Sequence, residues 1–361
     1  MLNAVTASIN LSALKANLDV VRKHCAKSKI YAVIKANAYG HGMLEIAKAL
    51  KDVDGLAVAR SEEALLLRQK GIHASILILG GVYSDIEFRR ATAHNIEMVV
   101  HNDQQLAMVT EASNRSSLRT IRIWIKIDSG MHRLGFAPER FPALFENLKA
   151  NTSASQFVLM THLANADNPQ DKTTTTQLNR FNKVADSFDV PCSIANSAGI
   201  VAWEATHADI VRPGIMLYGA SPLLDKSAQQ LGLQPVMTLS SNLIAINKLK
   251  KGDRVGYGGD FKCPEAMPVG VVSIGYGDGY PRHAKNGTPV LINGVRVPVV
   301  GRVSMDMICV DLRECTQAKV GDRVVLWGEG LPADEVAQHA DTIAYDLFCG
   351  VTSRVEFKYH G

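Results

Sequence analysis

The chain has 361 residues, 47% hydrophobic, 20% charged and 6% aromatic, which supplies a packed interior and excludes general disorder. Lys and Arg number 39 against 35 Asp and Glu; this net charge of +4 is scattered without a basic block, so no nucleic-acid or membrane partner is expected and a small molecule is. Six dispersed cysteines without a C-x-x-C pair, a first segment unlike an export leader, and charges interrupting every apolar run predict free thiols in a soluble, cytoplasmic protein.

Up to about residue 230, short β-branched runs alternate with helix-period segments. The strand candidates are 30–34, 56–59, 76–79, 96–100, 121–127 and 157–161, with weaker ones at 192–195 and 209–211. Between them lie helical stretches such as 44–50, 62–68, 104–111 and 174–187. Continuous apolar strands are those buried on both faces, and the alternation predicts parallel β-α units. About eight of them favour a closed barrel. The first run leads into Lys35-Ala36-Asn37-Ala38-Tyr39-Gly40-His41-Gly42, which does not fit the glycine template of an open dinucleotide-binding sheet. After residue 230 come short strands at 269–274, 290–292, 295–300, 308–312 and 323–326, separated by turn signals such as Asn293-Gly294, and helical spacing near 333–339 and 345–351. The expected class is α/β: a (β/α)8 TIM-type barrel over residues 1–232, then a mostly β domain over 233–361.

Such barrels gather their chemistry at the C-terminal ends of the strands. Here the runs end in Lys35, in Lys126 and Asp128 ahead of Arg133, in His162, in Asn196-Ser197, and in Arg212-Pro213-Gly214-Ile215. Lys35 leaves an apolar strand, so partial desolvation would lower its pKa and make the amine a nucleophile able to form a Schiff base; the position equally suits a lysine that snorkels to solvent. Ser197 and Gly214-Ile215 follow the last two strands, where barrels hold phosphate, although glycines there also serve ordinary turns. A Schiff-base lysine with a phosphate cup points to pyridoxal phosphate. The histidines show no metal-ligand spacing, and no metal is expected.

The segment Ala32-Val33-Ile34-Lys35-Ala36-Asn37-Ala38-Tyr39-Gly40-His41-Gly42 closely resembles the cofactor-lysine signature of alanine racemases. Further matches follow in family order at 126–135, 161–163, 195–198, 212–215, 256–258, 275–280 and 301–306, so the resemblance covers nearly the whole chain. It implies a pyridoxal-phosphate-dependent isomerase that interconverts L-alanine and D-alanine, supplies D-alanine for peptidoglycan or serves alanine catabolism, and works as a homodimer. By that resemblance Lys35 carries the cofactor and is one of two acid–base groups; Tyr257, reaching in from the partner subunit, is the other. His162 and Arg212 form a network with Tyr257, and Arg212 faces the pyridine nitrogen. Tyr39, Ser197, Gly214 and Ile215, with Tyr345 or a neighbour, hold the phosphate. Arg133 and the backbone near Met305 match the substrate-carboxylate anchor, and Lys126 matches a lysine that many members carry carbamylated. Asp167, Tyr276, Arg302 and Asp306 match positions around substrate access.

Without the family pattern, a packed aromatic and a core histidine are the ordinary readings of Tyr257 and His162. Ser304 stands where some members have cysteine, and Ser353 where some have tyrosine, which leaves the gate and one phosphate ligand open. A non-catalytic pyridoxal phosphate carrier would lack the second domain and Tyr257. A decarboxylase of the same architecture would carry a cysteine acid that Ser304-Met305-Asp306 does not supply. A racemase of broader specificity remains an alternative, with alanine favoured because Tyr257, Tyr276 and Met305 would crowd a small pocket.

Overall fold

A computed structural model describes residues 5–113, 121–151 and 156–361; residues 1–4, read above for a leader, lie outside the described residues. The described chain opens with strand β1 (Thr6–Asn10) and a helix over Leu11–His24, which Asn10 caps by accepting from the Ala13 N–H at 3.0 Å. There follow β2 (Lys29–Val33), β3 (Gly55–Val58), β4 (Ser75–Ile78), β5 (Glu97–Val100), β6 (Arg122–Lys126), β7 (Gln156–Met160), β8 (Cys192–Ser193) and β9 (Ile210–Val211). Each pairs in parallel with the next, and β2 pairs with β9, so the eight close into a barrel. Strands β3, β4 and β5 are almost wholly buried, the physical reason their sequences carry unbroken apolar runs.

The second sheet is built from β10 (Met237–Leu249), β11 (Arg254–Val255), β12 (Phe261–Lys262), β13 (Met267–Val272), β14 (Pro289–Ile292), β15 (Val295–Val300), β16 (Ile308–Asp311), β17 (Arg323–Trp327) and β18 (Glu356–His360), with β11 and β12 forming a small ribbon of their own. Its order is β13-β16-β15-β14-β17-β10-β1-β18, and β10 also pairs with β13. The Asn293-Gly294 spacing makes the expected two-residue hairpin between β14 and β15, both turn residues having positive φ. Two features depart from the sequence reading. β1 precedes the barrel in the chain but is hydrogen bonded to β10 and β18, so a division at residue 232 follows chain order rather than sheet membership. Strand β10, 13 residues long, escaped the pattern search because its register shifts between Leu239 and Ser240 and again between Leu243 and Ala245, which breaks the period-two alternation.

The two parts meet on buried polar and glycine contacts. The Asn17 side chain, fully buried, donates to the carbonyls of Leu217 (3.0 Å) and Gln234 (2.8 Å) and accepts from the Gln234 N–H (2.8 Å), tying the first helix to the segment that leaves the barrel. At Gly219 (φ +82°) a Cβ would fall 1.9 Å from the Gln234 carbonyl oxygen, so the chain can run this close only without a side chain. Replacing Asn17 by Ala strands these groups without partners. We expect Asn17→Ala to cost about 3 kcal/mol, read as a lower urea midpoint with an unchanged slope.

Candidate active site

Lys35 stands just past the end of β2, and the backbone after it turns the wrong way for ordinary residues. Ala36, Asn37, Ala38 and Tyr39 all have φ between 51° and 55°, a left-handed turn made without glycine. Such a conformation costs roughly 1–2 kcal/mol per residue, so it persists only where its surroundings impose it. Asn37 accepts from the Met43 N–H at 2.9 Å, and His41 Nδ1 lies 2.8 Å from the Tyr39 carbonyl. The Tyr39 ring stacks on Tyr218 (centroids 4.7 Å) and lies 5.7 Å from Tyr345 of the second domain. At Gly40 a Cβ would fall 2.0 Å from the Phe348 carbonyl oxygen. The turn is therefore pressed between the barrel and the helix Ala344–Gly350.

A cavity of about 1000 Å³ opens at this end of the barrel, lined by Lys35, Tyr39, Lys126, Arg133, His162, Asp167, Ser197, Arg212, Gly214, Ile215 and Tyr345 among others. Its floor is cationic. Burial lowers the Lys35 amine below the usual lysine range, with Arg133 adding to the effect. Lys126, only 7% exposed, is lowered to about 8 by burial and then by Arg212 and Arg133. Burial, followed by Arg212 and Lys126, drives His162 well below its ordinary value, so its imidazole is neutral near pH 7. Arg212 is buried and lowered to about 10, which leaves it charged; it donates to the carbonyls of Thr161 (2.6 Å) and Ile194 (3.2 Å) and to the Ser193 hydroxyl. Asp128 accepts from the backbone N–H groups of Gly130, Met131 and His132, each at 3.0 Å, and so shapes the loop that delivers Arg133.

One end of the cavity is a cup. Ser197 Oγ accepts from the N–H groups of Gly214 (2.8 Å) and Met216 (3.4 Å), and among the described residues its own proton has no protein acceptor. The N–H groups of Ser197, Ala198 and Ile215, all on buried residues, have no protein partner among the described residues. A Cβ on Gly214 would lie 2.5 Å from the Tyr39 hydroxyl, so a side chain there would fill the cup. Free donors, uncompensated cations and a desolvated lysine amine fit a cofactor that joins an aldehyde to a phosphate. Among the described residues no cluster of His, Cys, Asp and Glu could hold a metal ion.

The remaining predicted residues lie elsewhere in the same chain. Tyr257, 71% exposed, heads a turn of the second domain in which Gly256, Gly258 and Gly259 have positive φ. Arg302 lies against that turn and pairs with Asp260. Tyr276 (40% exposed) and Met305 (52%) lie on loops joined by the Gly277 N–H to Met305 carbonyl bond of 2.8 Å, and Asp306 pairs with Arg354 at 2.6 Å. None of these lines the Lys35 cavity. Tyr218, which backs Tyr39 and donates to the Val33 carbonyl at 2.9 Å, escaped the sequence reading; only its closeness to Gly214-Ile215 could have drawn attention to it.

Known proteins share both halves of this arrangement. Models of the alanine racemase N-terminal and C-terminal domains match residues 9–222 and 236–359. Alanine racemases of Coxiella burnetii and Nitrosospira multiformis are each 47% identical, over 99% of both chains. The biosynthetic alanine racemase of Pseudomonas aeruginosa, a solved structure, superimposes with a TM-score of 0.95 at 41% identity, covering 99% of this chain and 100% of its own. That of Bartonella henselae, solved with covalently bound pyridoxal phosphate, reaches a TM-score of 0.89 at 28% identity, over 99% of each chain. Matched from end to end in sequence and in fold, the chain belongs to the alanine racemase family.

Proposed function

We propose that the chain interconverts L-alanine and D-alanine with pyridoxal phosphate at Lys35, using Lys35 and the Tyr257 of a second copy as its two proton-transfer groups. The observation that carries this reading is the desolvated Lys35 amine facing a cationic cavity with a donor-lined cup. Bound there, pyridoxal phosphate supplies an electron sink that acidifies the Cα–H of an attached amino acid.

Tyr39, Ser197, Gly214 and Ile215 hold the phosphate through hydroxyl and N–H donors. Arg212 would face the ring nitrogen of the bound cofactor and keep its own proton, which would temper the sink and disfavour transamination. Arg133 grips the substrate carboxylate with its planar fork, helped by the backbone near Met305 of the second copy. Lys35 serves one face of Cα, and burial lowers its pKa in the direction that favours the neutral amine a base needs. Tyr257 serves the other face, linked to Arg212 through neutral His162.

Tyr257, Tyr276 and Met305 stand exposed and outside the cavity of their own chain, which supports a homodimer in which each β domain completes the neighbour's site. Asp167, Tyr276, Arg302 and Asp306 then frame substrate access. The six unpaired cysteines suit a reducing cytoplasm. Lys126, beside Arg133 and Arg212 and lowered to about 8, has a neutral fraction at pH 7 that can add carbon dioxide; its nitrogen bonds the carbon, one proton is released, and a repulsive pair becomes an attractive one.

Three outcomes test the reading. Protein loaded with pyridoxal phosphate and given L-alanine in deuterium oxide should yield D-alanine deuterated at Cα, and Lys35→Ala or Tyr257→Phe should each lower kcat by about a thousandfold or more. Mixing Lys35→Ala with Tyr257→Phe subunits, each inactive alone, should restore about a quarter of wild-type activity, because random pairing makes half the dimers mixed and each has one intact site. In 13C-bicarbonate a carbamate carbon signal should appear by NMR and vanish in Lys126→Ala.

A further inference from the structure

We propose that Glu63 is a positioning residue for Lys35, its carboxylate clamping the left-handed turn that aims the amine into the cavity. This rests on the reading of Lys35 as a proton-transfer group. Glu63 sits in the first turn of the helix Ser61–Gln69, just after β3, where an acidic residue ordinarily caps its own helix. Its Oε2 does so, accepting from the N–H groups of Ala59 (2.8 Å) and Arg60 (3.1 Å). The second oxygen does something else. Oε1 accepts from the Ala36 N–H at 2.7 Å, across the gap between neighbouring barrel strands.

Ala36 is the first residue of the strained turn and the one next to Lys35. Bonds inside the segment, from Ala38 N–H to the Ile34 carbonyl and from Gly40 N–H to the Ala36 carbonyl, close the turn on itself, and Asn37 and His41 are its own neighbours. Among the described residues, Glu63 is the one side chain of another element that hydrogen bonds the backbone of 35–41. It thereby ties the direction of the Lys35 stem to the end of β3.

The same carboxylate acts on the charge of the amine. Lys35 faces Arg133, Lys126 and His162 within the cavity and the Cys349 thiol of the helix Ala344–Gly350, and among the described residues Glu63 is the one carboxylate that acts on its amine. Removing that charge disfavours the ammonium form and lowers the Lys35 pKa further.

The test is Glu63→Gln in the cofactor-loaded enzyme. Gln keeps one oxygen for Ala59 and Arg60 but turns an NH2 toward the Ala36 N–H, so the cap survives and the clamp is lost. Amide exchange in the peptide spanning residues 34–43 should quicken at least tenfold while the other barrel strands keep their protection. kcat should fall roughly tenfold. Its acid limb in the direction where Lys35 is the base, and its alkaline limb in the reverse direction, should both move down by about one pH unit, leaving the remaining limbs in place. Glu63→Asp, which keeps the charge on a shorter stem, should quicken exchange yet retain the wild-type limbs, and it stands in if the Gln variant fails to fold. Unchanged exchange at 34–43, faster exchange spread over the whole barrel, or unmoved limbs would overturn the proposal. If wild-type enzyme racemises nothing, the functional reading fails, while the exchange result still decides the clamp.

Discussion

Positive charge gathered in excess of the carboxylates near it is the constraint around which this molecule is arranged. Lys35, Lys126, Arg133 and Arg212 meet at one barrel mouth beside a neutral His162. Like charges at low dielectric repel strongly, and the protein meets that cost by several routes. Arg212 is spread over two carbonyls and a hydroxyl, while the two lysines give up part of their affinity for a proton. What remains is a cavity poised for an anionic ligand, beside a lysine amine whose neutral form burial favours.

The closed parallel barrel brings these groups together although they are spread along the chain from the end of β2 to the end of β9. The second domain finishes the site from outside. Its helices supply Phe348 and Tyr345 against the turn that follows Lys35, and the packing is so close that Gly40 cannot carry a side chain. The second sheet takes in an early strand as well as late ones, since β1 pairs with β10 on one side and with β18 on the other. An early segment of the chain is thus a structural part of the late domain, and Asn17 links the following helix to the barrel exit. The proposed reaction needs groups on both faces of Cα, and in that proposal the exposed side chains of the β domain would serve the second face in the site of a second copy.

Much of this was legible in the residues. The eight barrel strands stood out because burial on both faces demands unbroken apolar runs, and even the two-residue strands β8 and β9 left a trace. Lys35, Lys126, His162, Ser197 and Arg212 could be nominated from their place at strand ends, since the topology of a parallel barrel makes every such end a neighbour of the others. Strand β10 stayed hidden because bulges shift its alternation, and β1 because five residues ahead of a helix carry too little pattern to reveal a partner more than 200 positions away. The left-handed turn could not be read either: Ala36, Asn37 and Ala38 have no glycine to announce positive φ.

By itself, the sequence determined which residue types sit at the strand ends and which segments must be buried, because hydrophobic periodicity and turn chemistry are local properties of the chain. Its motifs also carried the family. The tertiary structure alone decided that Glu63 caps its helix with one oxygen and grips Ala36 with the other, that Tyr218 backs Tyr39, and that Tyr257 lies exposed outside the cavity of its own chain. Those are matters of distance between elements, and such distances follow from how layers pack rather than from any local pattern of residues.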